Sequence, residues 1–436
     1  MDSTPAIPWL LRWQGLWHRG AKSSRLQPLL PQLAGGLLVA LLLLLPLADR
    51  GGLGLLISAC SVLWLVWCLS APPSSKPLGA INGWLLAYLA LALLATGFSP
   101  VPAAAAKGLF KLLSYLGVYA LMRRLLDEAP RWWDRLLAGL LLGELITAVI
   151  GLRQLYGNTT ELARWADPNS VADGTQRIYS SLENPNLLAG YLIPILPLAL
   201  VALLRWKSPW LRLFALTSFV LGAVAMLFTY SRGGWIGMVL ALAVLGLLLL
   251  LRFSRLLAAP LKRWLPPLVI AFVVLALVVA AVKVEPLRVR LMSMAAGRED
   301  SSNNFRINVW LAAIEMIQDR PWLGIGPGNT IFNLIYPLYQ QPRFTALSAY
   351  SVPLELAVET GIPGLLAVFG LLITSLKIGF SQIHRDLFLS LPCLGAIAAL
   401  VGLAGHGFVD TIFFRPEVQI SGWFVLATLG AKKTDD

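Results

Sequence analysis

The residues with the clearest chemical potential are arginines and carboxylates set beside apolar runs. Arg232 stands in Thr229-Tyr230-Ser231-Arg232-Gly233-Gly234-Trp235. The glycines let a backbone or ligand come close. The planar fork of a guanidinium matches an anionic group such as phosphate. The bland alternative is an interfacial anchor whose charge snorkels to water. Arg306 opens an amphipathic stretch, and Arg288, Arg290, Arg298, Arg320 and Arg343 share its segment. They suit an anion site, or equally a solvated face on which Arg306 pairs with Glu299 or Asp300.

Glu355 and Glu359 stand four apart, on one face of an apolar helix. Carboxylates inside a membrane helix are costly and are usually functional or paired. A structural pairing with arginine and a role in a site are both open. His406 and Asp410 are also four apart. Histidine moves protons near neutral pH, although a hydrogen-bonded histidine at a helix end is the commoner case. Gly324-Ile325-Gly326-Pro327-Gly328-Asn329 lacks the Lys-Ser/Thr of a phosphate-binding loop and follows no strand, so it reads as a tight turn. The three histidines fall on opposite sides of the membrane and form no metal set. Cys60, Cys68 and Cys393 read as small buried hydrophobes, with no disulfide framework or zinc spacing. No metal or other cofactor is expected.

These side chains must be carried by helices in lipid. Hydrophobic residues make up 57% of the chain and charged residues 13%, against about a quarter charged in soluble domains. The apolar runs are continuous rather than alternating, and each is long enough to cross a hydrocarbon core roughly 30 Å thick. Backbone satisfaction in lipid then demands helices. The fold class is an all-α polytopic membrane protein of about twelve spans, at roughly 29–48, 52–70, 78–97, 106–126, 136–153, 187–204, 212–230, 234–251, 264–283, 352–376, 388–409 and 416–431.

Placing both termini in the cytoplasm puts the whole formal charge of +13 on the inner side, because basic and acidic residues balance on the other. The basic balance is therefore a topology signal and gives no reason to expect nucleic-acid binding. The chain divides into a basic, tryptophan-rich interfacial segment (1–28), nine helices (29–283), a large periplasmic loop (284–350), three more helices (351–431) and a short tail (432–436). A second long loop covers 154–186. In the large loop, Asn304 to Asp319 reads as an amphipathic helix capped by Asn303. Ile307, Trp310, Leu311, Ile314 and Ile317 form its apolar stripe.

Four segments in this order resemble the O-antigen ligase and polymerase superfamily. They are Ser181 to Gly190 (with Asn184 and Asn186), Tyr230 to Trp235, Arg306 through Asn329, and Glu355 to Gly364. The branch most similar is the cyanobacterial inorganic-carbon (bicarbonate) transporter family. The resemblance implies a bacterial inner-membrane protein that joins a lipid diphosphate-linked glycan to an acceptor sugar. It implies that Arg232 and Arg306 hold the diphosphate, and that a histidine just before the helix of Glu355 and Glu359 acts as base. That place is taken by Tyr350. A neutral tyrosine, with a reference pKa near 10 against about 6.5 for histidine, is a poor base. Glu355, Glu359 and His406 are candidate substitutes, with Asn184, Asn186 and Asp410 as further candidates for the site.

Three functions fit. One is binding, and transfer, of a polyprenyl diphosphate-linked glycan. The second is carriage of a small anion, bicarbonate, which would need an aqueous path and favours paired repeats and broken midplane helices; the sequence shows neither clearly. The third is a non-catalytic membrane scaffold. Membrane lipids are partners in all three, and the oligomeric state is left open.

Overall fold

The computed structural model describes residues 27–70, 79–157, 177–254, 297–383 and 386–431, with isolated positions between 263 and 292. The ninth expected span (264–283), the N-terminal interfacial segment, His18, His384 and most of the second long loop lie outside the described residues. The described residues form thirteen α-helices and no strands. They are α1 Leu30–Leu44, α2 Arg50–Ser70, α3 Ala80–Gly97, α4 Pro102–Glu128, α5 Trp132–Gln154, α6 Pro185–Arg205, α7 Pro209–Phe228, α8 Arg232–Ser254, α9 Ser301–Asp319, α10 Asn329–Ile335, α11 Val352–Ser381, α12 Leu387–Gly407 and α13 Pro416–Gly430.

Nine helices among the described residues are long and apolar enough to cross a membrane. The chain is an integral membrane protein. Two more helices complete the bundle without meeting that standard. α4 carries several cationic residues and α13 has 15 residues. Proline at the first or second position begins α4, α6, α7, α11 and α13, where its missing N–H costs nothing.

α6 sits in the middle and is buried on nearly every side, which explains why it is apolar all round. It packs against α5, α7, α8, α12 and α13. α8 and α12 approach closely. A Cβ on Gly237 would stand 2.7 Å from the Gly402 carbonyl oxygen, and one on Gly402 would stand 2.8 Å from that of Gly237. Small residues at such a crossing let backbones touch, the usual route to association in lipid. This contact brings the first turn of α8, with Arg232, against the end of α12, with His406.

α11 is broken. Gly361 has φ 71 and ψ 179, non-helical values inside the run. The turn at 321–328 plugs the break. Ile325 N–H donates to the Val358 carbonyl at 2.9 Å, Gly326 N–H to that of Glu359 at 2.9 Å, and Ile362 N–H to that of Pro321 at 2.8 Å. The glycine-rich stretch is thus a turn, as expected, and also a lock on a broken transmembrane helix. Gly324→Val is expected to undo it. Gly324 has φ +63, and a Cβ there would lie 2.3 Å from the Val358 carbonyl oxygen. The backbone strain alone costs about 1–3 kcal/mol. The variant should unfold at lower temperature in detergent; an unchanged transition would mean that the lock carries no stability.

Three expectations are corrected. The loop helix starts at Ser301, and its cap is Asp300, whose carboxylate accepts from Asn303 N–H at 3.0 Å; Asn303 lies in the first turn. Its buried face is Asn308, Val309, Ala312, Ala313 and Met316, not the bulkier stripe. Leu311 and Ile314 are exposed. Small side chains permit close packing on the bundle, so Leu311 and Ile314 are left on the outside, and Ile307, Trp310 and Ile317 are half-buried. Cys68 is half-buried beside the Arg124 guanidinium, whereas Cys60 and Cys393 are buried.

Candidate functional site

The site lies at the end of the bundle that carries the loop, where the starts of α6, α8 and α9 meet the residues after α12. Asn184 caps α6, accepting from Asn186 N–H at 2.8 Å and Leu187 N–H at 3.3 Å. That cap fixes the backbone of Asn186, whose side chain bridges two charged groups. Its Oδ1 accepts from Arg177 Nη2 at 2.8 Å, and its Nδ2 donates to Asp410 Oδ2 at 3.0 Å. Arg177 also donates through Nε to the Thr229 carbonyl at 2.9 Å, next to the Tyr230–Arg232 turn.

Arg232 and Arg306 are brought together although 74 residues separate them in the chain. Arg232 Nη2 pairs with Asp300 Oδ1 at 3.0 Å. Asp300 is wholly buried and also caps α9, so one carboxylate ties the transmembrane helix α8 to the loop helix. Arg306 Nη2 lies 3.8 Å from Asp410 Oδ2, and Nη1 donates to Ser302 Oγ at 3.2 Å. The first of these is an ion pair too long for a hydrogen bond. Arg306 Nε is buried and has no partner. Burial pulls the Arg306 guanidinium below the ordinary arginine range; Asp410 opposes this and the charge of Arg232 adds to it. Three arginines therefore face two aspartates.

Asp300→Ala and Asp300→Asn separate its two roles. Asparagine caps a helix as well as aspartate, whereas alanine loses about 1 kcal/mol. Hydrogen exchange at residues 301–306 should quicken about fivefold in the alanine variant and change little in the asparagine one. Equal quickening in both would assign the order of α9 to the Arg232 pair rather than to the cap.

Tyr350 closes one side. It has φ 49, and its ring packs edge-on to Phe305 at 5.3 Å between centroids. Its carbonyl accepts from Trp310 Nε1 at 3.3 Å. Burial pushes its hydroxyl above the usual tyrosine range; Asp410 adds to the rise and Arg306 opposes it. The phenol is therefore a neutral hydrogen-bond donor at neutral pH. Tyr350 and Asp410 line a cavity of about 630 Å³, together with Asn184, Glu355, Lys111 and Arg415.

Glu355 and Glu359 pair with no arginine among the described residues. Glu355 accepts from Ala349 N–H and Glu359 from Gly328 N–H at 2.7 Å. Each holds a loop segment, the first just before Tyr350 and the second the turn that plugs α11. His406 departs from the ordinary reading of a hydrogen-bonded helix end. It is wholly buried, neither ring nitrogen has a partner, and its ring abuts Gly233. Asp300, offered by the sequence only as a surface partner for Arg306, is buried and pairs with Arg232 instead, and Arg177 is a member that the sequence did not single out. A pattern of aspartate followed three residues on by asparagine, at 300–303, was the available signal for the cap.

The arrangement can hold a doubly charged anion at two half-buried guanidiniums near a polar cavity, at the rim of a membrane bundle. Residues 217–369 match the O-antigen ligase family. The matched segment runs from α7 through the first half of α11. It includes Arg232, Asp300, Arg306, Tyr350, Glu355 and Glu359, whereas Asn186, His406 and Asp410 lie outside it. The O-antigen ligase match supports a role in processing glycans at a membrane, and carries no finer assignment to the inorganic-carbon branch. No curated protein matches the chain.

Proposed function

We propose that the protein binds a polyprenyl diphosphate-linked glycan at its loop face and transfers the glycan to an acceptor. The observation that carries this reading is the approach of Arg232 and Arg306, the latter with a buried and unpartnered Nε, around Asp300 and the cavity-lining Asp410. A diphosphate offers the oxygen acceptor that the Arg306 Nε lacks. In transfer, an acceptor hydroxyl attacks the anomeric carbon as the bond from that carbon to the diphosphate oxygen breaks. The charge gathered on the leaving diphosphate is what the guanidiniums stabilise. The hydroxyl proton passes to a carboxylate on the cavity wall, Asp410 or Glu355, since Tyr350 is a neutral phenol. The same reading puts this chemistry in the bacterial inner membrane with the loop periplasmic, as our proposal.

Native mass spectrometry of the gently purified protein tests the binding half. A co-purifying mass of a polyprenyl diphosphate-linked saccharide, lost in Arg232→Ala and Arg306→Ala, is the expected result. Equal retention by both variants would remove the arginines from the site. An empty protein that also ignores added lipid carrier would overturn the reading altogether.

A further inference from the structure

A second cavity lies within the bundle, beneath the polar one. It has a volume of about 180 Å³ and is walled by α3, α4, α11, α12 and α13. Its lining is largely apolar, including Leu85, Leu112, Val368, Leu403, Ala404 and Phe408. Phe408 is 57% exposed, so the crevice opens on the side of the bundle, towards lipid. The two cavities share Lys111, Tyr115, Asn329 and Phe414 in their walls. They therefore lie side by side, one apolar and one polar, with these residues at the neck between them.

Lys111 is the one full charge at that neck. Its ammonium donates to the Phe414 carbonyl at 3.1 Å and lies 5.5 Å from the centre of the Tyr115 ring. Among the described residues it makes no ion pair within 4 Å. A half-buried ammonium whose contacts are a neutral carbonyl and a ring face retains donors for an anion. The polar cavity above it presents Arg50 and Arg415 together with Glu355, Asp410 and Glu417, and Glu359 lines the crevice.

We propose that this neck is the point where a polyprenyl phosphate passes from chain to head. The first isoprene units lie in the crevice, the rest of the chain leaves past Phe408, and Lys111 meets phosphate oxygen at the mouth of the polar cavity. This rests on the reading of the protein as a binder of lipid-linked glycan, and adds a third cationic contact and a seat for the chain. An inorganic anion has no use for the apolar crevice. A neutral isoprenoid has no use for Lys111.

The test is titration of the full-length protein in detergent with geranylgeranyl phosphate and with geranylgeraniol, which share a chain and differ in charge. Lys111→Gln is expected to weaken the phosphate about 10- to 100-fold, the usual range for a hydrogen bond to a charged group, and to leave the alcohol unchanged. Retained alcohol binding shows that the variant is folded. Ala404→Phe, which fills the crevice, is expected to weaken both. Phosphate binding equal to wild type in Lys111→Gln would overturn the proposal. So would displacement of the phosphate by phosphatidylglycerol at equal concentration, which would mark the crevice as a seat for bulk lipid. Sensitivity at Lys111 with none at Arg306 would keep this site and overturn the arginine reading. Sensitivity at Arg306 with none at Lys111 would do the reverse.

Discussion

Arg306→Ala is expected to weaken binding of a polyprenyl diphosphate-linked saccharide by about 10²-fold or more, measured by titration of the purified protein. A hydrogen bond to a charged group contributes about 1.5–3 kcal/mol, and a guanidinium facing a diphosphate makes two. The site is ready to make them, because Arg306 Nε has no partner and its ion pair with Asp410 is long. Burial draws its pKa down, yet arginine starts so high that it stays cationic at neutral pH. Arg306→Lys should recover part of the loss, since it keeps the charge and gives up the fork. Asp410→Asn should act in the opposite direction. It removes a negative charge that competes with the ligand for Arg306 while keeping an oxygen for Asn186. Tighter binding in Asp410→Asn would show that competition; weaker binding would mean that Asp410 positions Arg306 rather than competing for it.

Tyr350→His is expected to raise the rate of glycan transfer by about 10²–10⁴, the usual contribution of a positioned acid or base. The resemblance places a histidine at this position. The backbone suits one, since Tyr350 has φ 49, and histidine is among the residues enriched at positive φ. The phenol cannot do the same work, because burial and Asp410 both favour its neutral form. An imidazole in this place would have Asp410 near enough to stabilise its protonated form, as a general base requires. Transfer assayed in proteoliposomes, with binding of the donor as the control for folding, decides the matter. Unchanged transfer with unchanged binding would show that the proton leaves by another group and that position 350 is no longer the base position in this chain.

The long elements were legible because lipid imposes a rule that sequence obeys openly. A run of about 20 apolar residues has few alternatives to a helix. The eleven expected spans that fall on described residues match helices to within a few positions. Arg232, Arg306 and Asp410 were legible as candidates because charges beside such runs are costly and therefore noticeable, whereas Tyr350 and Asn186 came from the resemblance alone. Their convergence was not legible. Arg232 and Asp300 stand far apart in the chain, and only the packing of α9 on the bundle joins them.

What the sequence determined by itself was the solvent of the protein, the kind of its elements and a short roll of charged residues, because hydropathy and charge act locally along the chain. What only the tertiary structure decided was which polar groups share one place. It turned the face of α9 by packing its small residues inward, and it spent Glu355 and Glu359 on loop N–H groups rather than on arginines. It also opened α11 at Gly361 and filled the gap with the Gly324–Gly328 turn. Each of these is settled by close packing and by the demand that every buried donor find an acceptor. Those demands bind residues distant in the chain, and no local pattern records them.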